Sequence, residues 1–144
     1  MSTAIASRST KSDLALLVAR ILMASLFVFS GSEKAFYYGG AVDWATAHGI
    51  PFAAFLMWAV IALELGASAL LVSGWHAREG ALALMAWLLW TGPWFHRFWE
   101  TPPPMWQMMV DDFFHHLVMA GGFLYVAVCG PGSLVLRRPM RISA

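Results

Sequence analysis

The sequence predicts an all-α fold: a four-helix transmembrane bundle forming one domain over residues 1–144. Three observations lead there. Of the 144 residues, 60% are apolar and only 12% are charged, against about 25% charged in an ordinary soluble domain. The mean hydropathy is +0.65. The apolar residues fall into four long runs that lack the period-two alternation of a half-buried strand, and an open sheet edge cannot face lipid.

A membrane crossing needs about 20 mostly apolar residues, each rising about 1.5 Å through a hydrocarbon layer of about 30 Å. Runs 13–32, 52–73, 79–98 and 112–129 meet this requirement. Ser12 or Asp13 can cap the first. Gly49-Ile50-Pro51 breaks the chain before the second, and Gly74 ends it. The third contains Gly92-Pro93, which predicts a kink, and stops at Thr101-Pro102-Pro103-Pro104. Gly130-Pro131-Gly132 closes the fourth. Between the first two, Tyr37-Tyr38-Gly39-Gly40 reads as a turn. Residues 43–48 read as a short interfacial helix stopped by Gly49, with Trp44 at the head groups.

Positive charge sets the orientation. Arg8, Lys11, Arg20, Arg78, Arg137, Arg138 and Arg141 fall on one side, and only Lys34 and Arg97 near the other. Both termini are therefore expected in the cytoplasm, with loops 35–51 and 99–111 outside. Trp44, Trp94, Trp99 and Trp106 gather on the outer side as an aromatic belt would. The first run follows basic residues, as a signal peptide's would, but it is long and lacks a clear A-x-A site, so it is expected to stay.

Several function classes drop out. A net charge of +1 gives no basic footprint for nucleic acid. The single cysteine, Cys129, excludes an internal disulfide, a CxxC pair and multi-cysteine metal sites. The chain has no P-loop, GxGxxG, GxSxG, CxxCH or HExxH pattern.

The informative residues are charges at membrane depth, which are costly and normally find a partner inside a bundle. Glu64 lies about 13 Å from the Ser73 end of the second run, and Arg20 about 10 Å from Asp13 in the first. Those depths match in antiparallel helices, so an Arg20–Glu64 ion pair is expected. It serves either to lock two helices or to handle a proton or a head group.

A second polar set gathers at the outer face: Glu33 and Lys34, then His96, Arg97 and Glu100, then Asp111, Asp112, His115 and His116. Asp111/His115 and Asp112/His116 are four apart, so each pair shares a helical face, as does His96/Glu100 if the third helix runs that far. Three readings are open. The set is a network satisfying helix ends, a site for a quinone or other polar-headed lipid, or a metal or haem site. The quinone reading rests on donors and acceptors set beside apolar walls, with Lys34, His96, Asp111, Asp112, His115 and His116 as its residues. The metal reading is the weakest, because adjacent His115 and His116 diverge by about 100° on a helix. Ala62-x-x-x-Gly66 and Ala120-Gly121-Gly122 offer small surfaces for close helix approach, first within the bundle and second in a homo-oligomer.

Arg20, Gly31-x-x-Lys34, Gly49-Ile50-Pro51, Glu64-Leu65-Gly66 with Gly74 and Arg78, Phe114 to Gly122 (FHHLVMAGG) and Gly130-Pro131-Gly132 resemble, in order and spacing, the DoxX family over roughly residues 14–136. That resemblance implies a small four-helix protein of the bacterial inner membrane. The family is named for a subunit linked to thiosulfate:quinone oxidoreduction. Other members are linked to membrane oxidoreductase complexes, and distant relatives act in membrane-protein assembly or cargo handling. Arg20, Lys34 and Glu64 match the shared pattern. His115-His116 stands where the family often has Lys-Asn, so a fixed charge becomes two titratable rings. The expected function is an accessory or quinone-interacting subunit of a membrane oxidoreductase system. The alternative is a non-enzymatic assembly or structural subunit. Either would be embedded in the lipid bilayer, with a quinone as the one ligand expected and no metal.

Overall fold

A computed structural model describes residues 10–136, and among them the regular structure is entirely helical. Five α-helices follow one another: α1 (Thr10–Phe36), α2 (Tyr38–Ala47), α3 (Ala53–Ser73), α4 (Ala77–Phe95) and α5 (Trp106–Cys129), with a single 3-10 turn at Phe98–Glu100 before α5. The main contacts run α1 to α3, α3 to α4 and α4 to α5, while α1 and α5 barely touch. The short α2 sits on α3 through Ala45, Ala53, Met57 and Ile61. It covers the short helix expected over 43–48 but begins at Tyr38, so Tyr38-Gly39-Gly40, expected in a turn, are helical and only Tyr37 breaks the chain after α1.

Helices α1, α3 and α5 are long and apolar enough to cross a membrane. Helix α4 has 19 residues and carries Arg78 and Glu79 in its first turn. It is wedged between α3 and α5 by Ala81, Leu84 and Leu88. Residues Arg8, Arg137, Arg138 and Arg141, which weigh on the orientation, lie outside the described residues.

The surface is apolar where a water-soluble bundle would be charged. Leu22, Phe29, Phe55 and Val118 are each 67–77% exposed, a distribution suited to lipid. The interior is built from small residues, Ala24, Ala67, Ala81 and Ala120, among Leu71, Leu84, Phe27 and Phe123. Without a hydrophobic drive between helices in lipid, close van der Waals packing must hold them. Two glycines provide it. A Cβ at Gly80 would lie 2.8 Å from the Ala67 carbonyl oxygen, and one at Gly31 would lie 2.9 Å from Leu65 Cγ. Of the small residues singled out in the sequence, Ala120 is in the core and a Cβ at Gly122 would lie 3.1 Å from Met23 Cε, but the others do less. Gly66 and Gly121 have open space around them, and Ala62 is exposed.

Gly31 fixes how α1 slides along α3. It lies against Glu64 and Leu65, so Arg20, eleven residues earlier, reaches the C-terminal end of α3 instead of its middle. Arg20 therefore does not meet Glu64. Its partners lie about 11 Å further along α3, at Leu71 and Val72. The expected pair assumed that Asp13 and Ser73 mark one level. In fact α1 begins at Thr10 and extends well past the end of α3.

Asp13 is likewise no N-cap. It is buried and accepts hydrogen bonds from the Ser133 backbone N–H (3.0 Å) and the Ser133 hydroxyl. The segment after α5 is thereby pinned across the ends of α1 and α3.

Candidate functional site

Glu64 is only 2% exposed in the middle of α3. A carboxylate at that depth must be matched by donors, and two side chains supply three hydrogen bonds to it. Lys34 Nζ donates to Oε2 at 3.0 Å and to Oε1 at 3.2 Å. The Trp87 indole N–H donates to Oε1 at 3.1 Å. Lys34 is further held by Ser30, one turn back in α1, through its hydroxyl and its carbonyl. The order Gly31-x-x-Lys34 now has a cause. Gly31 lets the backbone of α1 approach α3, and Lys34, three residues on, lies on the same helical face over Glu64. Lys34 is thus part of an interior ion pair and no member of the outer polar set.

Arg20, 1% exposed, acts as a cap. A helix leaves its last four carbonyls without intrahelical donors. At the end of α3, Leu70 O accepts from Gly74 N–H and the Ser73 hydroxyl. Leu71 O and Val72 O each accept from Arg20 Nη1 at 3.0 Å. Ser73 O accepts from Leu136 N–H at 2.8 Å. Arg20 Nη2 donates to Leu134 O at 2.5 Å. A cation at a helix C-terminus also meets the negative end of the macrodipole.

The expected outer set is only partly assembled. His96, just after α4, and His116 on α5 stand with ring centroids 4.6 Å apart, and Gly92 faces His116 at ordinary contact distance. Asp112 Oδ2 lies 3.6 Å from His96 Nδ1, outside hydrogen-bond reach. His116 Nδ1 bonds the Asp112 carbonyl at 2.9 Å, so the spacing of four joins ring to backbone rather than to carboxylate. Burial pushes the His96 imidazole below its ordinary range; His116 adds to this and Asp112 opposes it. Asp111 and His115 do not join. Both are exposed, and Asp111 accepts from Gln107 at 3.0 Å. Helix α4 ends at Phe95, so His96 and Glu100 share no helical face; Glu100 pairs with Arg97 at 3.3 Å. Among the described residues no group of His, Cys, Asp and Glu is arranged to hold a metal ion.

A groove of about 250 Å³ opens between α2, α3 and α4, with Trp44, Ala59, Trp87, Trp90 and Phe95 among its apolar walls. One wall, Trp87, turns its N–H away to Glu64, so the interior charge pair braces the groove from behind. His48 packs on two of these wall residues, stacking on Trp44 (centroids 3.9 Å apart) and meeting Phe95 edge-on at 6.1 Å. Its Nδ1 lies 2.8 Å from the Trp44 carbonyl. A carbonyl can only accept, so Nδ1 carries the hydrogen, and a neutral ring then keeps Nε2 as an acceptor. His48 was not among the candidates drawn from sequence. The signal was present in the Trp44–His48 spacing of four, but which wall they would face depended on the seat of α2.

A family model described as DoxX matches residues 15–97. Inner membrane protein YqjF of Escherichia coli (strain K12) is 35% identical over 127 residues, covering 88% of this chain and 92% of that protein. Inner membrane protein YphA of the same organism is 28% identical over 123 residues, covering 85% of this chain and 88% of that protein. No solved structure matches the chain.

Proposed function

Because the chain belongs to the DoxX family, we propose that it is an inner-membrane subunit that interacts with a quinone, as an accessory part of a membrane oxidoreductase system. In this reading α4 is the fourth crossing, and both termini are cytoplasmic, as Lys11 and Arg78 favour. The observation that carries the reading is the groove between α2, α3 and α4. Its apolar, aromatic walls suit an isoprenoid tail and a flat ring. His48, packed on the wall residues Trp44 and Phe95, offers one acceptor, suited to a quinol hydroxyl.

The test is the melting temperature of the purified protein in mild detergent with a short-chain quinone. A saturable rise is expected for the native chain. It should vanish in Ala59→Trp, which fills the groove from an exposed position, and shrink in His48→Phe. No rise in the native chain, or an equal rise in Ala59→Trp, refutes the reading.

A second reading, an assembly or structural subunit, has its own support. Glu64 is saturated by Lys34 and Trp87, as expected of a charge kept for architecture. Co-purification of one stoichiometric partner with a quinone-free chain would favour it.

A further inference from the structure

The end of α4 meets α5 through two imidazoles. His96, just past Phe95, and His116, on α5, stand with ring centroids 4.6 Å apart. His96 Nδ1 is sealed from the surface and has no hydrogen-bond partner among the described residues. The carboxylate facing it, Asp112 Oδ2, stops at 3.6 Å. His116 Nδ1 is committed to the Asp112 carbonyl at 2.9 Å. The other charged and titratable groups at this end are engaged elsewhere or turned outward. Arg97 and Glu100 pair with each other at 3.3 Å. On α5, Asp111 is taken by Gln107 and His115 is exposed. His48, after α2, packs on Trp44 and Phe95. Among the described residues, one carboxylate thus faces two rings. Two imidazolium charges at this spacing repel, and Asp112 can neutralise only one.

The backbone is weak at the same point. Pro93 lies in the last turn of α4 and has no N–H, so a carbonyl of the preceding turn loses its helical partner. The neighbouring ties, Phe98 and Trp99 against Phe113, are uncharged and do not respond to acid. Phe95, next to His96, is a wall of the α2–α4 groove and packs on Trp44 with centroids 4.9 Å apart.

We propose that His96 and His116 form a latch that acid releases: neutral, the rings hold the end of α4 on α5; once both are protonated, their repulsion parts the two and frees the Phe95 wall of the groove. The latch does not depend on what the groove takes. In the proposed orientation it lies on the outer side, where the pH of the medium varies. Burial, with His116 second, holds the His96 imidazole below its ordinary range. The closed form is therefore favoured above the ordinary value of about 6.5 and loses ground as pH falls through the depressed one.

Hydrogen exchange of the full chain in mild detergent, corrected for the pH dependence of the chemical step, is compared at about pH 8 and about pH 5. Acid should speed exchange in residues 94–98 and 110–116 by about fivefold or more, the lower end of the coupling between two sites, and leave the middle of α3 protected. His96→Gln and His116→Gln, which stay polar but carry no titratable ring, should each remove most of the rise. Asp112→Asn removes the facing carboxylate and should move the release to higher pH. Protection of α3 at the higher pH reports that each variant is folded. No rise in the native chain, a rise that α3 shares, an equal rise in either glutamine variant, or release of Asp112→Asn at an unchanged or lower pH would overturn the proposal.

Discussion

Lys34 and Glu64 should be energetically coupled, and Arg20 and Glu64 should not. Replacing Lys34 by Met leaves a carboxylate in the interior with one remaining side-chain donor, the Trp87 indole. Breaking a fully buried ion pair costs about 3–5 kcal/mol. Here Glu64 is 3% exposed at its side chain but Lys34 is 26% exposed, and Trp87 still holds one oxygen, so the expected loss is about 2–3 kcal/mol. Glu64→Gln keeps shape and removes charge, so the Lys34→Met/Glu64→Gln double variant should recover much of that loss. Unfolding in detergent micelles, followed by tryptophan fluorescence and far-ultraviolet dichroism, gives both single variants and the double. The cycle should return a coupling of about 1.5 kcal/mol or more, against less than about 0.5 kcal/mol for Arg20→Met with Glu64→Gln. A larger coupling for Arg20 than for Lys34 would refute the placement of α1 along α3.

Other expectations follow from the same geometry. Arg20→Met should release the 133–136 segment and expose it to limited proteolysis, while the helical content of α1–α5 persists; a protected segment would show that the cap is dispensable. Gly80→Ala forces a methyl against the Ala67 carbonyl and should cost about 1–3 kcal/mol. Gly66→Ala, with open space around it, should be neutral or slightly stabilising, and equal effects in denaturant titration would contradict the packing. The fold favours neutral His96, because its imidazole is held below the ordinary range. Its contribution to stability is therefore intact above the ordinary value of about 6.5 and lost as pH falls through the depressed one. The melting temperature should drop with acidification across that window, and less so in His96→Gln; an identical profile for both would remove His96 as the cause.

The helices were legible because long apolar runs bounded by Gly and Pro can do little else in lipid. Even α2 showed itself through its position before Gly49-Ile50-Pro51. Partners were harder to read. Matching Arg20 to Glu64 required knowing how far α1 slides along α3, and hydropathy is blind to that shift. It is set by Gly31 against Leu65 and by the long start of α1. The fourfold spacing in α5 correctly put Asp112 with His116 but could not tell a carboxylate contact from a backbone one, nor that Asp111 and His115 would face outward. Asp13 was visible as an acid at a helix start, but its true partner, Ser133, lies 120 residues away. His48 needed the seat of α2 on α3 before its ring could be placed beside Trp44 and Phe95.

Quinone content of the native preparation bears most directly on the role assigned to the α2–α4 groove. The protein is purified in mild detergent, extracted with organic solvent, and the extract read by oxidised-minus-reduced absorbance. Quinone approaching one per chain is expected from the native protein and a trace from Ala59→Trp. A native protein that carries none, or a filled groove that carries as much, would contradict it.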